Sequence, residues 1–160
     1  MNRLPGAAAG SAFNLEIFVT AQNKSRNGYL DAANELRQGR KTGHWMWYIF
    51  PQVEGLSDSF YGATFAIRSI AQARAYIQHG VLGYRLGHVV KVVHDSPVPT
   101  ARELFRSEVD ALKLQASLTL FQHVAIEEDK AVFQLVLDKY FEGKPHKMTA
   151  DTLKNWETKT

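Results

Sequence analysis

The sequence predicts an all-α fold: a single compact multi-helix domain over residues 13–156, preceded by a flexible segment over residues 1–12. Its 160 residues, of which 45% are apolar, suffice for one buried core. The chain contains no cysteine, so no disulfide can support that core. Several segments repeat apolar residues at the 3.6-residue period of an amphipathic helix. We therefore expect helices that pack through their apolar faces.

Two helices are expected in the first forty residues. The first runs from Phe13 to Gln22, and the second begins at Tyr29 and is stopped by Gly39, because glycine accepts the left-handed conformation that ends a helix. We expect the following side chains to face inward: Phe13, Ile17, Phe18 and Ala21 in the first helix, and Tyr29, Leu30, Ala32, Ala33 and Leu36 in the second.

The middle of the chain offers helix signals with recognisable caps. Ser69 can cap a helix that extends through Gln78, and Thr100 can cap a short one over Ala101–Phe105. Between them, Val81–Val93 interrupts its apolar pairs with one polar stripe, which faces solvent or a cleft: Arg85, His88 and Lys91.

The most regular helix pattern runs from Glu127 to Phe141. Acidic residues at its amino end complement the helix dipole, and Gly143 follows its last turn. A short final helix over Ala150–Trp156 is expected after a Lys-Pro break, with Thr149 as its cap.

Two segments are ambiguous by pattern alone. Leu112–Leu120 alternates apolar and polar residues, which is the period of a strand, whereas its leucine-rich composition favours a helix. Its hydroxyl side chains are expected to bond to the preceding turn if the segment is helical. Trp45–Phe50 has a strand-like composition and gives no decision between helix and strand.

Charge and hydropathy exclude several functional classes. The net charge of +3 is small, and no dense Lys/Arg block is present, which argues against nucleic acid as the partner. The longest apolar run, Trp45–Phe50, is far too short to cross a membrane, and no signal-peptide core precedes it. These observations predict a cytoplasmic protein.

The sequence carries no signal for a metal or cofactor. The six histidines show no paired ligand spacing, and no phosphate-binding loop, dinucleotide fingerprint or serine-hydrolase motif occurs. We therefore expect no bound metal and no cofactor.

An unusual aromatic run, Gly39–Gln52, carries a resemblance to a known family. Its His-Trp-Met-Trp and Pro-Gln steps, followed downstream by Leu82–Leu86 and Ser117–Phe121, resemble the uncharacterised bacterial family named domain of unknown function 1810. Some members of that family carry the label calpastatin. The resemblance covers residues 13–153 and implies a single all-helical domain, which favours helix for both ambiguous segments. It implies no reaction.

The same run suggests a binding site. Indole rings can stack on flat rings or cations, while basic side chains bind anions. We expect a cleft for an anionic, ring-bearing molecule of nucleotide type, formed by Lys41, His44, Trp45, Trp47, Gln52, Arg85 and Lys113. If the protein is an enzyme, His44 is the candidate general acid or base, with Lys41 and Arg85 as electrostatic stabilisers.

Two alternatives remain open at this stage. The aromatic residues of the run can be core anchors, or they can form a Trp-rich surface that binds a protein partner without catalysis. The anion site requires Lys41, Arg85 and Lys113 to converge, and we expect convergence because few acidic residues lie near them in sequence. The oligomeric state has no signature in the sequence.

Overall fold

The computed structural model describes residues 13–159, and the predicted flexible segment over residues 1–12 lies outside them. The described residues form ten helices and no strand. In chain order these are α1 (Glu16–Gln22), α2 (Tyr29–Arg37), α3 (Met46–Ile49), α4 (Phe60–Thr64), α5 (Ile70–Gln78), α6 (Leu82–Asp95), α7 (Ala101–Phe105), α8 (Glu108–Val124), α9 (Glu127–Phe141) and α10 (Lys147–Thr158). The all-α prediction is confirmed.

Two long helices organise the packing. Helix α6 contacts α2, α5 and α9, and helix α8 contacts α5, α7, α9 and α10. Six consecutive residues of α8, from Ala116 to Phe121, are buried, so this part of the helix is enclosed on all sides. That position explains the ambiguous alternating pattern, because a helix surrounded by others needs apolar residues around its whole circumference.

The second ambiguous segment becomes a single helical turn, α3, whose residues Met46, Tyr48 and Ile49 are buried. The chain after it forms an isolated parallel bridge between Val53 and Ile67. Ile67 N–H donates to the Gln52 carbonyl at 2.8 Å, so the bridge fixes Gln52 beside the end of α4.

Local capping follows the sequence at most helix ends. Ser69 and Thr100 accept hydrogen bonds from the backbone of Gln72 and Glu103, as predicted. Gly39 adopts a φ of +80° just after α2, which confirms the predicted helix stop. Helix α9 begins and ends at the predicted residues.

Several details of the predictions are wrong. Helix α1 begins at Glu16 rather than Phe13, after a turn in which Asn14 has a positive φ. Leu30 is 74% exposed, because the buried face of α2 is made by Ala32, Ala33 and Leu36. Helix α10 begins earlier than predicted.

The cap of α10 is His146 and not Thr149. The His146 ring accepts a hydrogen bond from Thr149 N–H, and the backbone N–H of His146 donates to the Thr119 hydroxyl of α8 at 2.9 Å. Burial lowers the pKa of His146, which favours the neutral ring that this acceptor role requires. Thr149 is fully buried instead.

One lysine, Lys139, ties α9 to the end of α6. Lys139 Nζ donates to the carbonyls of His94 at 2.6 Å, Ser96 at 2.5 Å and Val93 at 3.3 Å. These carbonyls lie at the carboxyl end of α6, where a helix leaves its acceptors without intrahelical partners. A single ammonium therefore closes the end of one of the two central helices.

None of the described helices is long and apolar enough to span a membrane.

The two hydroxyls of the α8 core differ in their partners. Thr119 donates to the Gln115 carbonyl one turn earlier, as predicted, at 2.8 Å. The prediction fails for Ser117, whose buried hydroxyl has no hydrogen-bond partner among the described residues. An unsatisfied buried hydroxyl costs the energy of its lost hydration.

Removing the unsatisfied hydroxyl should stabilise the protein. We expect Ser117→Ala to raise the free energy of unfolding by about 1 kcal/mol. Thr119→Val is the matched control, because it removes a bonded hydroxyl of similar burial and should lower stability. Urea denaturation of both variants measures this, and a loss of stability in Ser117→Ala would show that its hydroxyl has a role in the core.

Candidate functional site

The loop that follows α2 is held by one carboxylate. Glu35 Oε1 accepts hydrogen bonds from the backbone N–H of Thr42 at 2.7 Å and of Gly43 at 2.8 Å, and from the Trp45 indole at 2.9 Å. Burial raises the pKa of Glu35, but the hydrogen bonds from Gly43, Thr42 and Trp45 outweigh it and hold the pKa below its usual value. The ionised carboxylate is therefore part of the folded loop.

Asn27 supports the same loop from the other side. Its side-chain oxygen accepts from His44 N–H at 3.1 Å, and its carbonyl accepts from the Tyr48 hydroxyl at 2.6 Å. The protein's own hydrogen bonds thus fix the loop, without the help of a ligand.

Lys41 lies inside this loop and is fully paired. Its backbone N–H donates to the Leu104 carbonyl, and its ammonium donates to the Gly43 carbonyl at 2.7 Å. The same ammonium lies 2.9 Å from Asp110 and 5.1 Å from the centre of the Trp45 ring. Because Lys41 is only 8% exposed, these partners compensate a charge that burial would otherwise disfavour.

Asp110 joins the two lysines of the predicted site. Its carboxylate lies at the start of α8, 2.9 Å from Lys41 and 3.6 Å from Lys113. All three side chains are largely shielded, with 9%, 16% and 20% of the side chain exposed for Lys41, Asp110 and Lys113. The expectation that local acids are not available to these lysines is wrong, because the fold brings Asp110 to both. The i, i+3 spacing of Asp110 and Lys113 could have predicted their ion pair from the sequence, but not the pair of Asp110 with Lys41.

The two tryptophans of the run have different environments. Trp45 is completely buried and packs against Phe50 and Phe105, so its ring belongs to the core. Trp47 is only partly buried, and Lys113 Nζ lies 5.2 Å from the centre of its ring. Trp47 also contacts the Tyr61 ring, at 5.1 Å between centres.

Trp47 and Gln52 line one small cleft. The cleft has a volume of only about 10 Å³, and its other walls come from Val53, Leu56, Ser57, Gly62 and Phe65. The Gln52 side chain makes no hydrogen bond to the described residues, so its amide is available to a ligand. Four of the predicted residues are thus linked: Asp110 pairs with both Lys41 and Lys113, Lys113 lies over Trp47, and Trp47 lines the cleft together with Gln52.

His44 is exposed. Its backbone is fixed by Asn27 and by the Tyr48 hydroxyl, which donates to the His44 carbonyl at 3.2 Å. Its ring nitrogens have no hydrogen-bond partner among the described residues. The general acid or base of an active site needs a partner that orients it. No described side chain orients the imidazole of His44 in this way.

Arg85 lies at a different place. Its guanidinium donates to Gln22 at 3.2 Å and to Asn23 at 2.9 Å, and it covers the ring of Tyr29 at 5.0 Å. The prediction that Arg85 converges with the two lysines is wrong, because α6 places it against the end of α1 and the start of α2. Residues 13–159 contain no group of three His, Cys, Asp or Glu side chains arranged to hold a metal ion.

Comparison with known proteins gives two matches. A family model described as "Protein of unknown function (DUF1810)" matches residues 12–153, a range that includes the whole site. The crystal structure of the conserved hypothetical protein Rv1873 from Mycobacterium tuberculosis is similar, with 37% sequence identity and a TM-score of 0.82. That match covers 89% of this chain and 98% of the other. A comparison with curated protein sequences gives no match.

The role of Glu35 can be tested through pH. At pH 7 we expect Glu35→Gln to lower the free energy of unfolding by about 1–3 kcal/mol, since hydrogen bonds to a charged acceptor are stronger than those to an amide. A lowered folded pKa gives stability that is present above the unfolded pKa of about 4.3 and is lost as the pH falls through the folded pKa. The difference in the free energy of unfolding between wild type and Glu35→Gln should therefore be smaller in urea melts at pH 3 than at pH 7. Glu142→Gln, at an exposed glutamate, is the control, and a gap that does not change with pH would contradict the assignment.

The two tryptophans should differ in their contribution to stability. Trp45→Ala is expected to lower the free energy of unfolding by about 3–5 kcal/mol, because it empties a fully buried site. Trp47→Ala should cause a clearly smaller loss, because its ring is partly exposed. Equal losses in denaturant melts would mean that Trp47 is a core residue as well.

Proposed function

This chain belongs to the DUF1810 family of proteins of unknown function, and we propose that it binds an anionic, ring-bearing small molecule of nucleotide type at the cleft beside Trp47. The observation that carries the proposal is the position of Lys113. Its ammonium lies over the Trp47 ring at the cleft that Gln52 lines, so a cation, an aromatic ring and a free amide occur together. These are the groups that bind a flat polar ring and its charged substituent.

The charges of the site leave room for an anion. Asp110 is closer to Lys41, at 2.9 Å, than to Lys113, at 3.6 Å. Two lysines share one carboxylate, which gives the group a formal charge of +1. Lys113 can therefore turn its ammonium to a ligand while Asp110 keeps Lys41 compensated.

The size of the cleft limits where the ligand can lie. Its volume of about 10 Å³ is far below the roughly 300–1,000 Å³ of pockets that enclose a drug-sized molecule. The ring of the ligand therefore binds at the mouth of the cleft, against Trp47 and Gln52, and not inside it. The anionic part then lies toward Lys113, the nearest cation of the group.

The geometry supports binding more than hydrolysis. His44 is the candidate acid or base, but its ring has no orienting partner among the described residues. Trp45, the other tryptophan predicted to contact the ligand, is completely buried, with Lys41 over its ring. The proposal therefore assigns binding to Lys113, Trp47 and Gln52, with Lys41 and Asp110 as positioning residues.

The alternative function is a protein-interaction module. Its supporting observation is the exposure of Phe60 at 78% and Tyr61 at 47%, next to Trp47. Phe60→Ser separates the two functions, because Phe60 does not line the cleft. A small-molecule site should bind its ligand equally well in that variant.

Adenosine monophosphate is a suitable first probe for the cleft. At 100 times its dissociation constant it should stabilise the protein by about 2.7 kcal/mol in a thermal-shift assay. The indole N–H signal of Trp47, assigned with Trp47→Phe, should shift in NMR spectra when the adenine ring binds at the cleft.

Lys113→Gln should weaken this binding at least tenfold, since it removes the nearest cation. Lys144→Gln, at an exposed lysine paired with Glu142, is the charge-matched control and should bind as the wild type does. The proposal fails if purine and pyrimidine nucleotides leave the Trp47 signal unchanged, or if both lysine variants weaken binding equally.

A further inference from the structure

Two arginines, Arg37 and Arg85, lie on the facing helices α2 and α6 without a carboxylate partner among the described residues. Arg37 donates to Asn34 at 3.1 Å and to His88 Nε2 at 3.2 Å. Arg85 donates to Gln22 and Asn23. Their acceptors are neutral, so both guanidinium groups are held in place and keep their full charge.

Both arginines act on the same tyrosine hydroxyl. Burial raises the pKa of Tyr29, and Tyr84 raises it further, while Arg85 and Arg37 lower it. No carboxylate contributes to this balance. The Tyr29 hydroxyl therefore lies among two positive charges and one further hydroxyl.

Hydrogen bonding fixes the state of His88. An arginine side chain only donates, so His88 Nε2 must be the acceptor from Arg37. The proton of the neutral ring is then on Nδ1, and the Tyr29 oxygen accepts it. The Tyr29 hydroxyl proton is not used in this hydrogen bond and can therefore donate to a ligand.

Tyr84 supplies an open aromatic surface next to this cluster. Its ring lies nearly parallel to that of His88, with an interplanar angle of 14°, and the residue is 70% exposed. Tyr84 and His88 also line a groove together with Lys91 and with Glu128 and Asp129 of α9. The two carboxylates outnumber the one lysine there, so the groove favours an anion less than the two arginines do.

We propose that Arg37, Arg85 and Tyr29 form a second anion site, separate from the Trp47 cleft, that binds the phosphate group of a monoester whose ring lies on Tyr84. The donors come from two helices, and several donors suit a phosphate with its three exposed oxygens better than a planar carboxylate that one guanidinium can bind alone. Because both side chains are already held by neutral acceptors, binding costs little additional side-chain ordering.

Phenyl phosphate is the probe, added at constant ionic strength while the arginine Nε–Hε signals are followed by NMR. We expect saturable shifts of the Arg37 and Arg85 signals, which are assigned with Arg37→Gln and Arg85→Gln. This measurement uses the wild-type protein, so it does not depend on how well a variant folds. Absence of saturable shifts at both arginines would overturn the proposal.

Variants define the site further. The double change Arg37→Gln/Arg85→Gln should weaken phenyl phosphate binding at least tenfold, and Arg74→Gln, at an exposed arginine of α5, should not change it. Tyr84→Ala should weaken binding of phenyl phosphate more than that of inorganic phosphate. Equal weakening by Arg74→Gln, or equally tight binding of benzoate, would overturn the phosphate assignment.

The two sites can be told apart with the same probe. Lys113→Gln should leave the shifts at Arg37 and Arg85 unchanged, and the double arginine variant should leave the Trp47 signal responsive to adenosine monophosphate. Loss of the arginine shifts in Lys113→Gln would overturn the separation of the second site from the cleft, whatever the outcome at Trp47.

Discussion

The architecture around Trp47 depends on one carboxylate oxygen, Glu35 Oε1. It accepts from two backbone amides and one indole, and so fixes the loop between α2 and α3. Fixing the loop places the Trp45 ring in the core and leaves Trp47 at the surface two residues later. It also places Lys41 where its ammonium meets Asp110. Stability and the candidate binding surface therefore share a single constraint, the ionised state of Glu35.

The basic residues of the two proposed sites are compensated in different ways. Lys41 and Lys113 share the carboxylate of Asp110, which permits a largely buried lysine but reduces the positive charge of the site. Arg37 and Arg85 are held by amides and a neutral histidine, which position the guanidinium groups without neutralising them. Because Asp110 is shared, Lys113 can leave it for a ligand while Lys41 stays paired. The neutral acceptors of Arg37 and Arg85 leave both guanidinium groups with their full positive charge.

The central helix α8 shows how packing resolves an ambiguous sequence. Its alternating pattern is explained by enclosure on all sides, which requires apolar residues at every angle around the helix. Enclosure also leaves the Ser117 hydroxyl without a partner, while Thr119 finds acceptors and donors in α8 and at the start of α10. The packing around α8 therefore explains its helical conformation and also decides which of its two hydroxyl groups has hydrogen-bond partners.

The sequence by itself determined the all-α class, the bounds of α9 and the caps at Ser69 and Thr100, because these depend on residues within a few positions of one another. It also identified Lys41, Trp47, Gln52 and Lys113 as residues of one region. Only the tertiary structure decided that Trp45 is core, that Arg85 lies apart and that His146 caps α10. Burial, ion pairing and capping by a distant partner depend on which helices meet, and the period of a single segment contains no information about its neighbours.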